Sequence, residues 1–202
     1  MVIVITGSTR GIGFGIAESF LQKNQQIVIS GRNQVSVDKA VASLAAKYGE
    51  EKIIGIACNV AEQDQVKNLW QVASQKYGKV DIWINNAGMS HANMPLQTLP
   101  EESARQVVEA NLLGVINGSS VALQGMLQQG FGCLYNMEGL GSDGRKSSGL
   151  MVYGATKRAV TYLTEALIED FKKSPVHVCF LSPGMVVTDL LVGDYDQSDS
   201  AW

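Results

Sequence analysis

The stretch VIVITGSTRGIG, Val2–Gly13, decides how this chain is read. Val2–Thr6 carries a β-branched residue at every position, which suits a strand. Gly7-Ser8-Thr9-Arg10-Gly11-Ile12-Gly13 follows at once, and from Ile12 to Lys23 the pattern is helical. Glycine permits a tight turn there and lets backbone amides come close to a bound group. The helix start behind it offers unpaired N–H groups and the positive end of the helix dipole, which together suit a pyrophosphate. A glycine triplet alone says little. Placed between a strand and a helix, it predicts a dinucleotide-binding turn. The plain alternative is a tight strand-to-helix turn that holds no ligand.

The same alternation continues outward along the chain. Further runs that read as strands are Gln26–Ser30, Ile53–Cys58, Val80–Asn85, Cys133–Met137 and Val176–Leu181. They lack polar alternation, so each is expected to be buried on both faces. Helical stretches separate them: Val35–Tyr48, Gln63–Tyr77, Pro100–Gln129 and Val152–Lys173. Repeated strand–helix–strand units predict a parallel sheet with helices on both faces. Right-handed crossovers favour the doubly wound α/β arrangement of Rossmann type, with strand order 3-2-1-4-5-6. A ligand in that order sits where the winding reverses, beyond the ends of strands one and four. Gly7–Gly13 and Asn85–Gly88 follow those two strands. No linker or repeat interrupts the pattern, so residues 1–202 are expected to form a single dinucleotide-binding and catalytic domain. Ser142–Gly149 reads as a polar loop, and the acidic tail Gly193–Trp202 as disordered.

Composition narrows the function classes. With 46% hydrophobic residues over 202 positions and a net charge of -3, the chain has a globular balance and no bulk charge to attract nucleic acid. The cysteines, Cys58, Cys133 and Cys179, are odd in number and form no CxxC, so buried reduced thiols are expected. His91 and His177 are far apart, and no metal site is expected. No apolar run reaches a membrane-spanning length, and the first residues do not resemble a secretion signal. These features predict a reducing compartment, the cytoplasm. Asn117-Gly118-Ser119 matches a glycosylation pattern that has no meaning there.

The spacing Gly7-x-x-x-Gly11-x-Gly13 resembles the short-chain dehydrogenase/reductase family. Asn85-Asn86-Ala87-Gly88, Asn111, Tyr153-x-x-x-Lys157 and Pro183-Gly184 fit the same resemblance in the same order. It implies cofactor contacts at Gly7, Ser8, Thr9, Arg10, Gly11, Ile12 and Gly13, and at Asn59 and Val60 beside the adenine. It implies others at Asn86, Ala87, Gly88, Lys157, Pro183, Gly184 and Val186, with Thr188 at the nicotinamide carboxamide. A site that prefers NAD usually places a carboxylate after the second strand. Here no Asp or Glu occurs between Glu18 and Asp38, while Arg10 and Arg32 flank the position. Two guanidinium groups suit a 2′-phosphate, so the expected cofactor is NADP(H). The bland alternative is a pair of solvated arginines.

Tyr153 and Lys157 stand four residues apart at a helix start and so share a face. A free tyrosine, with a pKa of about 10, is a poor acid–base group near neutrality. An adjacent ammonium favours its phenolate, which makes the pair a proton-transfer device. The resemblance implies that Asn111 anchors a water for proton relay. It also implies a catalytic serine about thirteen residues before the tyrosine, but Leu140 stands there. Glu138 would repel a forming alkoxide, and Gly139 and Leu140 lack a side-chain donor. Ser142, eleven residues before Tyr153, is therefore the expected donor, with Ser147, Ser148 or a backbone amide as alternatives.

Asn136–Ser142, Val152–Lys157 and Ser182–Leu191 resemble the chlorophyll b reductase branch, whose members reduce a formyl group to a hydroxymethyl group. The expected activity is NADP(H)-dependent reduction of an aldehyde or ketone, with a chlorophyll b-like pigment as one candidate substrate. The alternatives are a general carbonyl reductase and a cofactor-binding sensor without turnover. The chain is shorter than family members usually run, so a C-terminal strand and part of the substrate loop are expected to be missing. The family pairs subunits through the helices after strands four and five, which implies a homodimer or homotetramer.

Overall fold

A computed structural model describes residues 1–184. Six parallel strands are ordered 3-2-1-4-5-6: β1 (Val2–Ile5), β2 (Gln26–Gly31), β3 (Ile53–Ala57), β4 (Ile82–Asn85), β5 (Gly132–Met137) and β6 (Val176–Leu181). The helices are α1 (Gly11–Gln22), α2 (Gln34–Tyr48), α3 (Gln63–Tyr77), α4 (Glu101–Val108), α5 (Gly114–Gln129) and α6 (Met151–Phe171). The doubly wound order expected from the alternation is the order found.

The sheet's two faces carry separate cores. Val2–Ile5 of β1 are all 0% exposed, because the central strand is covered on both sides. Ile3, Ile5, Ile27 and Ile29 pack with Ala17, Leu21, Ala40 and Leu44 of α1 and α2. Val4, Val28, Trp83 and Leu134 pack on the opposite face with Leu69 of α3 and Ala122 and Met126 of α5. Burial of each such aliphatic side chain stabilises the fold by roughly 1.5–3 kcal/mol. Leu167 and Phe171 bring the far end of α6 onto this second core.

Two expectations need correction. The strands are not all buried on both faces. His177 is exposed, and Cys133, Tyr135, Cys179 and Leu181 are only half-buried. The helices that contact β5 and β6 are α5 and α6, on the other face, while α1 and α2 cover β2 and β3. Nor is Pro100–Gln129 one helix. A five-residue π-helical turn, Glu109–Leu113, separates α4 from α5. Such a bulge re-aims side chains within a helix, and Asn111 lies inside it. Val186, Thr188 and the tail Gly193–Trp202 lie outside the described residues.

Candidate active site

The glycine turn is built against the end of β4. Thr6 Oγ1 accepts from the backbone N–H groups of Asn86 and Ala87, each at 3.0 Å. Asn86 Nδ2 donates to the carbonyls of Thr6 and Gly7, each at 2.9 Å. A Cβ at Gly7 would stand 2.6 Å from Ala87 Cα, and the residue's φ of +61° is itself left-handed. A Cβ at Gly13 would stand 2.5 Å from Asn86 Nδ2. These glycines therefore close the junction between the first and fourth strand ends. Helix α1 begins at Gly11, and no side chain caps its first amides. Those N–H groups remain for an anion, which is the fit a pyrophosphate requires.

The turn opens onto a cleft of about 1990 Å³. Gly7, Thr9, Arg10, Gly11, Ile12 and Gly13 line it. Arg32, Asn59, Val60, Asn86, Ala87, Gly88, Pro183 and Gly184 line it as well. Ser8 does not. It is fully buried, its hydroxyl donates to Ile5 O at 2.6 Å, and its Oγ accepts from Ser30 N at 3.0 Å. Ser8 ties β1 to β2 rather than facing a ligand. Past β2, the sequence reading missed Ser36 and Lys39, which also line the cleft. Their i, i+3 spacing on α2, just behind Arg32, was the available signal. No group of three or more potential metal ligands occurs among the described residues.

The other wall holds the tyrosine–lysine pair. Lys157 is 4% exposed, its Nζ donates to Met137 O at 3.2 Å, and the Nζ lies 5.8 Å from the centre of the Tyr153 ring. Burial pushes the Lys157 pKa down to about 8, partly offset by the charge of Glu138. The Tyr153 hydroxyl lies against Gly139: a Cβ there would stand 2.6 Å from it and 3.1 Å from Lys157 Cε.

Ser142 lines the same cleft, with its hydroxyl bonded to the backbone on both sides. Its hydroxyl accepts from Gly139 N at 3.1 Å and donates to Lys157 O at 3.5 Å. Its carbonyl takes bonds from Arg158 and Thr161. Ser142 thus fastens the loop after β5 onto α6. The place beside the tyrosine hydroxyl belongs to Gly139. Asn111 is also committed. It is fully buried, its Oδ1 accepts from Met89 N at 2.8 Å, and its Nδ2 donates to Met89 O and Thr156 Oγ1. A side chain so engaged holds the loop after β4 and has no open donor for a water.

A family model for short-chain dehydrogenases matches residues 1–199. The chain belongs to that family. It is 40% identical over 195 residues to chlorophyll(ide) b reductase NOL, chloroplastic, of Oryza sativa subsp. japonica, covering 94% of this chain and 57% of that protein. The chain therefore spans little more than half the length of that relative. Among solved structures, a short-chain dehydrogenase/reductase from Burkholderia phymatum in complex with NAD superposes with a TM-score of 0.87 at 29% identity, over 94% of this chain and 67% of that one. ElxO with NADP bound gives 0.87 at 26% identity, over 95% and 76%. Family members of this shape thus hold either nicotinamide cofactor, and the family's chemistry is oxidoreduction.

Proposed function

We propose that this short-chain dehydrogenase uses NADP(H) to reduce the formyl group of a chlorophyll b-like pigment. The observation that carries the reading is the Tyr153 hydroxyl, set at the end of β5 with Lys157 behind it, in the same cleft as the glycine turn. Similarity to a plant chlorophyll(ide) b reductase supports the pigment as substrate.

The glycine turn and the first amides of α1 would hold the pyrophosphate. Arg10, Arg32 and Lys39, at the cleft's adenosine end, would hold the 2′-phosphate, and no carboxylate stands between Glu18 and Asp38 to repel it. A nicotinamide bound there would supply the hydride that a carbonyl carbon accepts. Tyr153 gives its proton to the carbonyl oxygen, so a formyl group becomes a hydroxymethyl group. The Lys157 ammonium favours the phenolate that remains. Asn111 and Ser142 position the two loops that flank the tyrosine. Exposed Leu113 and Ile116, beside or on α5, and Tyr162 and Ile168 on α6 support a homodimer or homotetramer through those helices.

The test is NADPH oxidation with the formyl pigment and with simple aldehydes, beside Tyr153→Phe. The wild type is expected to turn over and the variant to bind NADPH without turnover. Turnover of simple aldehydes alone would favour the general carbonyl reductase. Cofactor binding with no turnover of any aldehyde would favour the sensor. Retained activity in Tyr153→Phe would refute the proton assignment. The working compartment is taken as reducing, either cytoplasm or, as the rice relative's name suggests, chloroplast.

A further inference from the structure

Outside the cleft, β5 and β6 bring two thiols together. Cys133 Sγ and Cys179 Sγ lie 3.8 Å apart, close enough for either thiol to donate to the other. Neither residue lines the cleft. The strand register pairs Cys133 with His177 and Tyr135 with Cys179, so the two cysteines are diagonal neighbours on one face of the sheet. Both are half-buried, on the face left partly open beyond α1 and α2. Among the described residues β6 is an edge strand. The third thiol, Cys58, is buried in the core of the opposite face.

We propose that Cys133 and Cys179 form a reversible dithiol–disulfide site, which a small-molecule disulfide such as glutathione disulfide closes. A disulfide bond is about 2.05 Å long, so closure asks the sulfurs to approach by about 1.8 Å. An edge strand has a neighbour on one side only, so β6 gives that shift more readily than a central strand. Directly opposite positions suit the bond better than diagonal ones. The closed form therefore carries strain, and strained disulfides are the easily reduced ones. The pair is open while thiols are in excess and closes when disulfide prevails. Burial pushes the Cys133 thiol up to about 11, so Cys179, on the edge strand, attacks first. Its thiolate attacks one sulfur of glutathione disulfide, forms a mixed disulfide and releases one glutathione, which takes up the proton Cys179 lost. Cys133 then attacks Cys179 Sγ, forms the Cys133–Cys179 bond and releases the second glutathione, which takes the Cys133 proton. The protein gives up two electrons and two protons, and the small disulfide gains both as it becomes two thiols. The nearness of the two sulfurs offsets the scarcity of Cys133 thiolate.

The experiment treats the reduced, folded chain with glutathione disulfide, counts free thiols after denaturation, and maps unreduced peptides by mass spectrometry. The wild type should lose two of its three thiols. The peptides holding Cys133 and Cys179 should be linked within one chain, with Cys58 still free, and dithiothreitol should restore all three thiols. Cys133→Ala should stop after the first step, with one glutathione on Cys179. Cys179→Ala should keep both of its remaining thiols, and both variants should keep the wild-type circular-dichroism spectrum. The wild-type peptide map decides the matter without either variant. A glutathione adduct with no link, a link between chains, a link that includes Cys58, or three free thiols after treatment would each overturn the proposal.

Discussion

Lys157 makes the fold pay for its chemistry in a way that can be measured. A lysine displaced from 10.5 to about 8 by burial holds its proton less tightly in the folded state than in the unfolded one. Each unit of displacement is worth about 1.4 kcal/mol, so the charged side chain destabilises the cofactor-free protein by about 3 kcal/mol at neutral pH. The sign follows from linkage. Below about 8 both states are protonated and the full penalty is present. Between about 8 and 10.5 the unfolded state binds more protons, so stability rises with pH. Lys157→Met removes the titration, although it also removes the bond to Met137 O. The quantity to follow is therefore the difference in unfolding free energy between wild type and variant, measured by urea denaturation without cofactor. The wild type should gain about 2–3 kcal/mol on the variant between about pH 7 and pH 10. A difference that stays flat across that range would refute the buried, displaced ammonium. Activity of Lys157→Met should be lost at every pH.

Other changes probe separate parts of the molecule. Asn85 accepts from Trp83 Nε1 at 2.8 Å and donates to Asn136 Oδ1 at 2.8 Å, inside the core between β4, β5 and α5. Asn85→Ala leaves those buried groups short of partners and should lower stability by about 2–4 kcal/mol in denaturant titration; a loss below about 0.5 kcal/mol would contradict the network. Arg32→Asp should weaken NADPH by roughly tenfold to a hundredfold, the worth of one charged contact, and leave NADH binding no worse. NADH bound as tightly as NADPH by the unchanged protein would refute the 2′-phosphate reading.

The fold was legible because its signals are repetitive. Six apolar runs alternating with helical stretches admit few arrangements, and the handedness of crossovers selects among them. The failures have local causes. One residue inserted at Glu109–Leu113 leaves the apolar pattern of a helix nearly unchanged, so the π-turn is invisible to periodicity. The half-covered faces of β5 and β6 depend on which helices land there, which strand composition does not encode. Lys39 and Ser36 escaped because a family motif stops at the end of β2, whereas the cleft continues along α2.

The site residues divide along a different line. Gly7, Gly13, Arg32, Tyr153 and Lys157, singled out from the sequence, line one cleft, and a backbone constraint or a charge limits what each can do there. Ser8, Asn111 and Ser142 each bond a neighbour the sequence does not reveal, because a hydroxyl or amide does whatever its nearest unpaired neighbour demands. Ser8 meets Ile5 O and Ser30 N before it can meet a ligand. Asn111 meets both backbone groups of Met89. Ser142 meets Gly139 N. In each case the polar atom satisfies a buried or part-buried backbone group, and leaving a fully buried one unpaired would cost about 1–3 kcal/mol. Gly139 is the converse. It was set aside in the sequence because it has no donor, yet a residue with no side chain is the one that leaves the tyrosine hydroxyl room to stand there. In the wall of this cleft, the missing side chain makes room for the tyrosine hydroxyl, and the polar ones nearby keep that wall in place.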